Sequence, residues 1–387
     1  MSWVALRMLT GDRAKYFGII FGVTFAALLM AQQGAIFWGL MWNTTSQIRD
    51  LEGADIWVMD PNVQFVDDIK PLSENDLYRV RGVEGVAWAV RLYKGLARAR
   101  FDDGNFQQCI LLGLDDATMV GAPRHIVAGS LADLRQPDAV IMDELGWRYL
   151  WPGQPFVPGK TFEMNDRRAV IVGLCKASPT FQTFPILYTR YSQATRYVPS
   201  ERKVLSFILA QPEPGRDPRE VCRRIEEQTR PAVDKSGLQA MTREEFMWTT
   251  IGYYLRRTGI PINFGITVTL GFVVGAAIAG QTFYLFTVEN LKQFGALKAM
   301  GVSNLRLVGM SLLQAAVVGA VGYGLGVGGA VLYSVVVSAL VKTIPPAFYL
   351  TPQLLVGVAV AVMVIVFLSS LVSIRRVLVL EPAVVFK

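Results

Sequence analysis

Four stretches of the chain contain no charged residue, and each is long enough to cross a membrane. They cover residues 16–48, 258–288, 307–341 and 343–374. A helix rises about 1.5 Å per residue, so roughly 20 apolar residues cross a hydrocarbon core about 30 Å thick. The pattern therefore predicts four membrane-spanning helices, over residues 16–42, 261–288, 304–341 and 352–374.

The segment between the first and second predicted helices has the opposite character. Residues 43–260 carry 28 basic and 28 acidic side chains, as expected of a domain that folds in water. Short runs rich in Val, Ile and aromatic residues alternate there with helix starts, which is typical of an α+β domain. The predicted strands cover residues 54–59, 86–101, 106–114, 138–142, 168–174 and 203–210.

Helix starts in this segment are marked by residues that cap the first turn. Ser73 and Thr242 each precede an acidic residue by three positions, and Asp217 stands before a proline. The helix after Thr242 carries Phe246, Thr250 and Tyr254 on one face. We predict that this helix is a stalk leading toward the second span, with a break at Gly259 and Pro261.

The net charge of +7 lies entirely outside residues 43–260. The remaining residues carry 10 basic and 3 acidic side chains. Because basic loops of membrane proteins stay in the cytoplasm, both termini and the loop between spans two and three are predicted to be cytoplasmic. The α+β domain is then extracytoplasmic, and Lys342, Pro345 and Pro346 form a short external turn. This distribution does not indicate a surface for nucleic acid.

The predicted division of the chain follows from these patterns. The first span could instead be a cleaved signal peptide, but its apolar run is longer than such peptides have. Segments outside the four spans are a cytoplasmic amphipathic segment at 1–15, the extracytoplasmic domain with its stalk at 43–260, a cytoplasmic helix at 289–303, an external loop at 342–351 and a cytoplasmic tail at 375–387.

Glycines recur inside the predicted spans and favour close packing of helix backbones in lipid. Residues 324–329 also spell G-x-G-x-x-G, but no strand precedes them, so a dinucleotide site is excluded. The four charge-free runs contain no Asp, Glu, Lys, Arg or His that could relay ions or protons. The packing glycines are Gly18, Gly22, Gly271, Gly275, Gly319, Gly322, Gly324, Gly326, Gly328 and Gly329.

Few residues in the α+β segment point to catalysis or metal binding. His125 is the single histidine, and Cys109, Cys175 and Cys222 lie too far apart for a zinc motif. We predict that this chain binds no metal or cofactor. The three cysteines permit one disulfide or three buried thiols, and the sequence leaves this open. Acidic doublets such as Asp102-Asp103 are typical of a solvated surface.

The segment GQPFVPGKT resembles a phosphate-binding loop at first sight. Five residues separate Gly153 from Gly159, where such a loop has four, and two of the five are prolines without an N–H donor. We predict a turn before a strand at Thr161, and no nucleotide site at Lys160.

The loop ENLKQFGALKAMGVSNLRLVGM, residues 289–310, carries an amphipathic pattern. Leu291, Phe294 and Leu297 recur on one helix face, Gly301 is placed to end the helix, and Ser303 to cap the next. The pattern leaves two interpretations open. The helix either lies on the membrane as a connector or offers its apolar face to a partner protein.

This loop resembles the E-x-x-x-x-[FIY]-[GA]-x-[LM]-[KR]-A-[LM]-G segment of the MacB/FtsX-type (type VII) ABC transporter permeases, especially the DevC-like branch. The opening WVALRMLTGDRAKYFGIIFGVTFAALLM, the stretch PLSENDLYRVRGVEGV and the ending RRVLVLEPAVVFK are similar to the same family. Many relatives have a charged residue where Gln293 stands, so a salt bridge made there would be absent here.

The resemblance implies a homodimeric permease subunit of the inner membrane that hydrolyses no ATP itself and binds ATPase subunits, which hold ATP and Mg²⁺. It also implies a periplasmic adaptor and an outer-membrane channel, with export driven by motion of the external domain. The ATPase-coupling residues that it implies are Glu289, Leu291, Phe294, Leu297, Lys298, Met300 and Gly301.

Two alternatives from other branches of the family remain open. The chain could be an FtsX-like signalling or scaffold subunit that regulates a cell-wall hydrolase, or a permease that extracts lipoproteins. The regulatory branch has small external domains, so the 218 residues between the first two spans favour transport.

Overall fold

The computed structural model describes residues 2–11, 13–100, 104–198, 205–230, 237–341 and 347–379. The chain folds into two compact units. One unit consists of helices from the first 40 residues and from Gly259 onward. The other is formed almost entirely by Met41–Thr258, and we call it the α+β domain.

In the described part of the chain, four helices are long and apolar enough to cross a membrane, and the α+β domain lies between the first two of them along the chain. The predicted fold class is therefore confirmed. Part of the predicted external loop (342–346) and of the predicted tail (380–387) lies outside the described residues. The helices of this unit are α1 Ser2–Gly11, α2 Arg13–Asn43, α9 Ile260–Glu289, α10 Leu291–Ala299, α11 Asn304–Leu340 and α12 Pro352–Val379.

Glycines bring α2 and α11 into backbone contact. A Cβ atom added at Gly326 would lie 2.5 Å from the Cβ of Ala27 and 2.7 Å from the carbonyl oxygen of Thr24, and one added at Gly322 would lie 2.6 Å from Val23. Such approaches leave no room for a larger side chain. The predicted packing role is thus confirmed at these glycines, whereas Gly324 and Gly328 have open space at their Cβ positions.

Buried polar side chains also join the helices of this unit. The Gln314 amide of α11, which is 1% exposed, donates a hydrogen bond of 2.7 Å to the carbonyl oxygen of Ala5 in α1. The hydroxyl groups of Ser311 in α11 and Ser370 in α12 lie 2.7 Å apart. Each of these buried polar groups thereby has a partner, which an apolar environment requires.

The α+β domain is built on a sheet whose described strands run in the order β10-β1-β9-β2-β3-β8-β5-β7-β4, with β6 pairing with both β2 and β7. Pairs β3–β8 and β5–β7 are parallel, and the other pairs of described strands are antiparallel. The strands are β1 Ile56–Met59, β2 Val86–Arg100, β3 Phe106–Leu114, β4 His125–Ala128, β5 Ala139–Asp143, β6 Lys160–Met164, β7 Arg167–Lys176, β8 Ile186–Arg190, β9 Phe207–Pro212 and β10 Gln239–Thr242.

Both faces of the sheet are covered, because alternate residues of one strand enter two separate cores. Ile56 and Val58 of β1 pack with helices α4 and α7, whereas Trp57 packs with Phe246 of α8. A strand buried on both faces lacks the usual polar alternation. The helices of this domain are α3 Ser46–Asp50, α4 Glu74–Arg81, α5 Glu144–Leu150, α6 Tyr191–Ala194, α7 Pro218–Gln228 and α8 Arg243–Arg257.

A strand overlaps each of the six predicted segments, and the three predicted helix starts are confirmed. Residues 101, 203 and 204 of the predicted strands lie outside the described residues. Ser73 and Thr242 form capping boxes, and the Asp217 side chain accepts a hydrogen bond from the N–H of Arg219. Helix α8 ends at Arg257 and α9 begins at Ile260, as the break at Gly259 and Pro261 predicts. Strands β4, β8 and β10, of four or five residues each, were not predicted.

Gly326→Ala should destabilise the helical unit, whereas Gly324→Ala should not. Both changes raise helix propensity, but only the methyl group at position 326 meets the backbone of α2, and overpacking of this kind costs about 1–3 kcal/mol. Thermal unfolding of each variant in the same lipid nanodiscs, followed by tryptophan fluorescence, measures the difference. Equal midpoints for the two variants would contradict the packing of α2 on α11.

Candidate coupling site

The loop that joins α9 to α11 has a hydrogen-bonded turn at its centre. Helix α10 ends in a Schellman motif, in which the N–H of Val302 donates to the carbonyl of Leu297 and the N–H of Gly301 to that of Lys298, both at 3.1 Å. Gly301 has φ 88°, a conformation that glycine adopts without strain. The predicted helix end at Gly301 is confirmed, and α11 begins directly after Ser303.

The apolar face of α10 packs against other helices of the chain, whereas both sequence interpretations had lipid or a partner protein covering that face. Phe294 is 1% exposed and lies in a cluster with residues of α1, α11 and α12, and Leu291 and Leu297 pack at its edge. An amphipathic pattern shows which face is apolar but not what covers that face. The buried members of this cluster, which we call the loop core, are Ala5, Phe294, Leu307, Met310, Ile374 and Val377.

Lys298 also faces inward and connects α10 to α12. Its Nζ donates a hydrogen bond of 2.9 Å to the carbonyl oxygen of Leu378, in the last turn of α12. A cation at this end of a helix is favoured, because the terminal carbonyl groups carry partial negative charge. Glu289, the last residue of α9, is exposed. The loop core and Lys298 together fix α10 to three other helices.

The outward surface of the loop carries two large apolar side chains. Met300 is 73% exposed and Leu305 is 82% exposed, and they lie on either side of the turn at Gly301. Polar and basic residues, Lys292, Gln293 and Arg306, are exposed around them. We call Met300, Leu305 and these three residues the outer loop surface.

Sequence reasoning placed Met300 and Gly301 at this site but missed Leu305. Leu305 is the second residue of α11, two positions before the buried Leu307. In a helix, residues two positions apart do not share a face. That spacing was a usable signal that Leu305 and Leu307 point in different directions.

The segment GQPFVPGKT, which resembles a phosphate-binding loop in sequence, forms a turn and leads into a strand. Lys160 opens β6, its Nζ lies 4.5 Å from the ring centre of Trp151, and it donates a hydrogen bond of 3.0 Å to Gln154. A phosphate-binding loop instead leads into a helix, whose N-terminal N–H groups hold the phosphate. The prediction of a turn before a strand is confirmed.

The cysteines of the α+β domain are buried free thiols in the structure. Burial raises the pKa of Cys109 to about 12, with a smaller contribution from the negative charge of Asp143. Burial also raises the pKa of Cys222 to about 12. It raises the pKa of Cys175 more than that of Cys222. All three thiols therefore stay protonated near neutral pH, which makes them poor nucleophiles.

The buried carboxyl group of Asp143 has a raised pKa, but its contacts are those of a residue that holds the fold together. Burial raises the pKa of Asp143 to about 6, although the N–H groups of Ile186 and Gly146 donate to it at 2.7 and 2.8 Å. Asp143 caps α5 and joins it to β8. Among the described residues, no group of three or more His, Cys, Asp or Glu side chains could hold a metal ion.

Phe294→Ala should lower the stability of the loop by about 3 kcal/mol, because it leaves a cavity in the loop core. Met300→Ala is the matched control and should change stability by less than about 0.5 kcal/mol, since Met300 is exposed. The protein is digested in nanodiscs, and mass spectrometry then gives the cleavage rate within residues 289–303. This rate measures local opening of the loop. Equal cleavage rates for the two variants would show that Phe294 is not buried.

Two family models match the chain and together cover most of its length. The model for the MacB-like periplasmic core domain matches residues 16–228, and the model for the FtsX-like permease C-terminal region matches residues 265–382. The chain is 24% identical over 384 residues to the uncharacterized ABC transporter permease Rv0072 of Mycobacterium tuberculosis, covering 95% of this chain and 93% of the relative. It is 31% identical over 125 residues to the uncharacterized ABC transporter permease Mb2592 of Mycobacterium bovis, covering 31% and 33% of the two chains.

Two solved structures are similar to the chain at 16% sequence identity and a TM-score of 0.37. One is the extracellular domain of the noncanonic ABC-type transporter YknZ from Gram-positive bacteria, matched over 49% of this chain and 98% of that one. The other is the periplasmic region of MacB from Actinobacillus actinomycetemcomitans, matched over 55% and 96%. The family models and the relative from Mycobacterium tuberculosis place this chain among the MacB/FtsX-type permeases of ABC transporters.

Proposed function

We propose that the chain is the non-catalytic permease subunit of an ATP-driven exporter and that it transmits motion of an ATPase to the α+β domain. Membership of the family implies an ATPase partner. The observation that carries the proposal is the outer loop surface, where Met300 and Leu305 are exposed on a loop whose other face is held by the loop core.

In this proposal the outer loop surface docks on the ATPase in the cytoplasm, as the ATPase-coupling site. Exposed methionine and leucine side chains suit an apolar groove, and Lys292 and Arg306 suit an acidic rim around it. Phe294 and Leu297 support the site from inside and do not touch the partner. The proposed coupling role thus moves from the apolar face of α10 to the outer loop surface.

The contacts behind the loop explain how a docked ATPase would move the spans. Helix α10 is bound to the start of α11 and the end of α12 through the loop core, and Lys298 adds a hydrogen bond to α12. Helix α1 joins the same assembly through Ala5 and Gln314. A push on Met300 and Leu305 would therefore act on several helix ends at once.

The chain itself connects the spans to the α+β domain at two places. Helix α2 runs directly into α3, and α8 leads into α9 after Gly259. In the proposed mechanism these connections carry the motion outward, in a homodimer of the inner membrane with both termini in the cytoplasm. An adaptor and an outer-membrane channel would complete the export path.

Replacing both Met300 and Leu305 by Ala should weaken association with the ATPase at least ten-fold, because these side chains are the exposed apolar anchors of the loop. ATPase stimulation by the permease should fall in parallel. Leu270→Ala, an exposed leucine within span α9, is the control and should have no effect.

The measurement is titration of the purified ATPase onto the permease in nanodiscs, with Kd taken from biolayer interferometry. Unchanged Kd for the double variant, at equal thermal stability of the two proteins, would remove the coupling assignment from the outer loop surface.

A further inference from the structure

The α+β domain has a surface cleft of about 550 Å³ whose walls are rich in arginine. Its lining comes from β2, from the start of β3, from the hairpin of β6 and β7, and from the segment after α6. A cleft of this size can hold a small organic ligand. The charged residues of the lining are Arg98, Arg100, Arg167, Arg196, Glu163 and Asp166.

Two arginines of β2 flank an exposed aromatic ring in this cleft. Arg98 and Arg100 are two positions apart, so their side chains leave the same face of the strand. Phe106 of β3 lies opposite Arg100 in the sheet and is 52% exposed. The guanidinium carbons of Arg98 and Arg100 lie 4.4 and 5.6 Å from the centre of its ring. One wall of the cleft thus combines two cations with an apolar surface.

The side chain of Asn165 joins three of the elements that line the cleft. It lies in the turn between β6 and β7, accepts a hydrogen bond of 2.8 Å from the N–H of Arg98, and donates one of 2.9 Å to the carbonyl oxygen of Tyr197. Arg167 opens β7 directly after this turn, and Arg196 directly precedes Tyr197. The backbone positions of these three arginines are therefore tied to one another.

The cleft carries more positive charge than its own carboxylates balance. Four arginines and two carboxylates line it, which leaves a surplus of two positive charges. Arg100 pairs with Glu163 at 3.7 Å. Arg98, Arg167 and Arg196 are exposed and form no ion pair within the part of the chain that the structure describes. Cations gathered in one cleft repel each other and attract anions from solution. The surplus therefore favours a ligand with two negative charges.

We propose that this cleft binds a phosphate monoester attached to an apolar or aromatic body. A phosphate monoester carries a charge of about −1.5 to −2 near neutral pH, which matches the surplus. A single carboxylate would balance only half of it. The planar guanidinium group donates two parallel N–H bonds to phosphate oxygens, and the ring of Phe106 would contact the body of the ligand. This site does not depend on docking of an ATPase at the outer loop surface.

The probe for this site is 4-fluorophenyl phosphate, observed by ¹⁹F NMR with the full chain in phosphatidylcholine nanodiscs. The salt concentration is about 0.15 M, at which exposed charges more than about 8 Å apart are largely screened. So small a molecule should bind with a Kd on the order of 1 mM. Its comparison compound is 4-fluorophenyl sulfate, which has nearly the same shape but a single negative charge. The sulfate should bind at least five-fold more weakly.

Arg98→Gln and Arg196→Gln should each weaken binding of the phosphate probe at least five-fold, because each removes a guanidinium group from the cleft. Both side chains are exposed, so the thermal unfolding midpoint should change little. Arg223→Gln is the matched control. It removes the same charge from an exposed position on α7, outside the cleft, and should leave the Kd unchanged.

A soluble phosphate ester and the headgroup of phosphatidic acid share this chemistry, and the lipid composition distinguishes the two sources. Nanodiscs that contain phosphatidic acid are compared with nanodiscs that contain phosphatidylglycerol, whose phosphate is a diester. Weaker probe binding with phosphatidic acid alone would identify the lipid headgroup as the ligand. Equal probe binding in both would identify a soluble ligand, and either result supports a phosphate monoester site.

Three results would overturn the proposal. They are no probe binding beyond that of empty nanodiscs, equal binding of the phosphate and the sulfate, and equal binding by the chain and its Arg98 and Arg196 variants. The second result would leave a surface that suits single negative charges, such as those of an acidic peptide, and the third would place the binding elsewhere. Because no ATPase is present, failure here is distinct from failure of docking at Met300 and Leu305.

Discussion

The hydrocarbon core of a membrane excludes charge and offers no hydrogen bonds, and this determines how charge and packing are distributed in the chain. It confines the charged side chains to the α+β domain, the loops and the helix ends. It also removes the hydrophobic drive that brings helices together in water, so the spans are held by close contact instead. Gly322 and Gly326 provide that contact between α2 and α11.

Close packing has a consequence for the loop between α9 and α11. Phe294 enters a core formed by the ends of three other helices, and the turn at Gly301 then directs Met300 and Leu305 away from it. The loop thus has one face fixed to the spans and one face available to a partner. This division of faces is the structural basis of the proposed coupling, because a flexible connector could not pass a displacement to the spans.

Sequence patterns predicted the features that depend on local residues. Runs without charge indicated the four spans, capping residues such as Ser73 indicated helix starts, and Gly301 indicated a helix end. The orientation of α10 could not be predicted, since an amphipathic pattern is the same whether its own chain, lipid or a partner covers the apolar face.

In the proposed function the coupling loop and the α+β domain lie on opposite sides of the membrane, so the helices must carry the signal between them. Labelling of Met300→Cys and Gln228→Cys with a membrane-impermeant maleimide tests it most directly, because both positions are exposed and the native thiols are buried. We predict that Gln228→Cys is labelled once the outer membrane is opened, and Met300→Cys only after the inner membrane is permeabilised. Labelling of both positions from the same side would rule out this arrangement across the membrane.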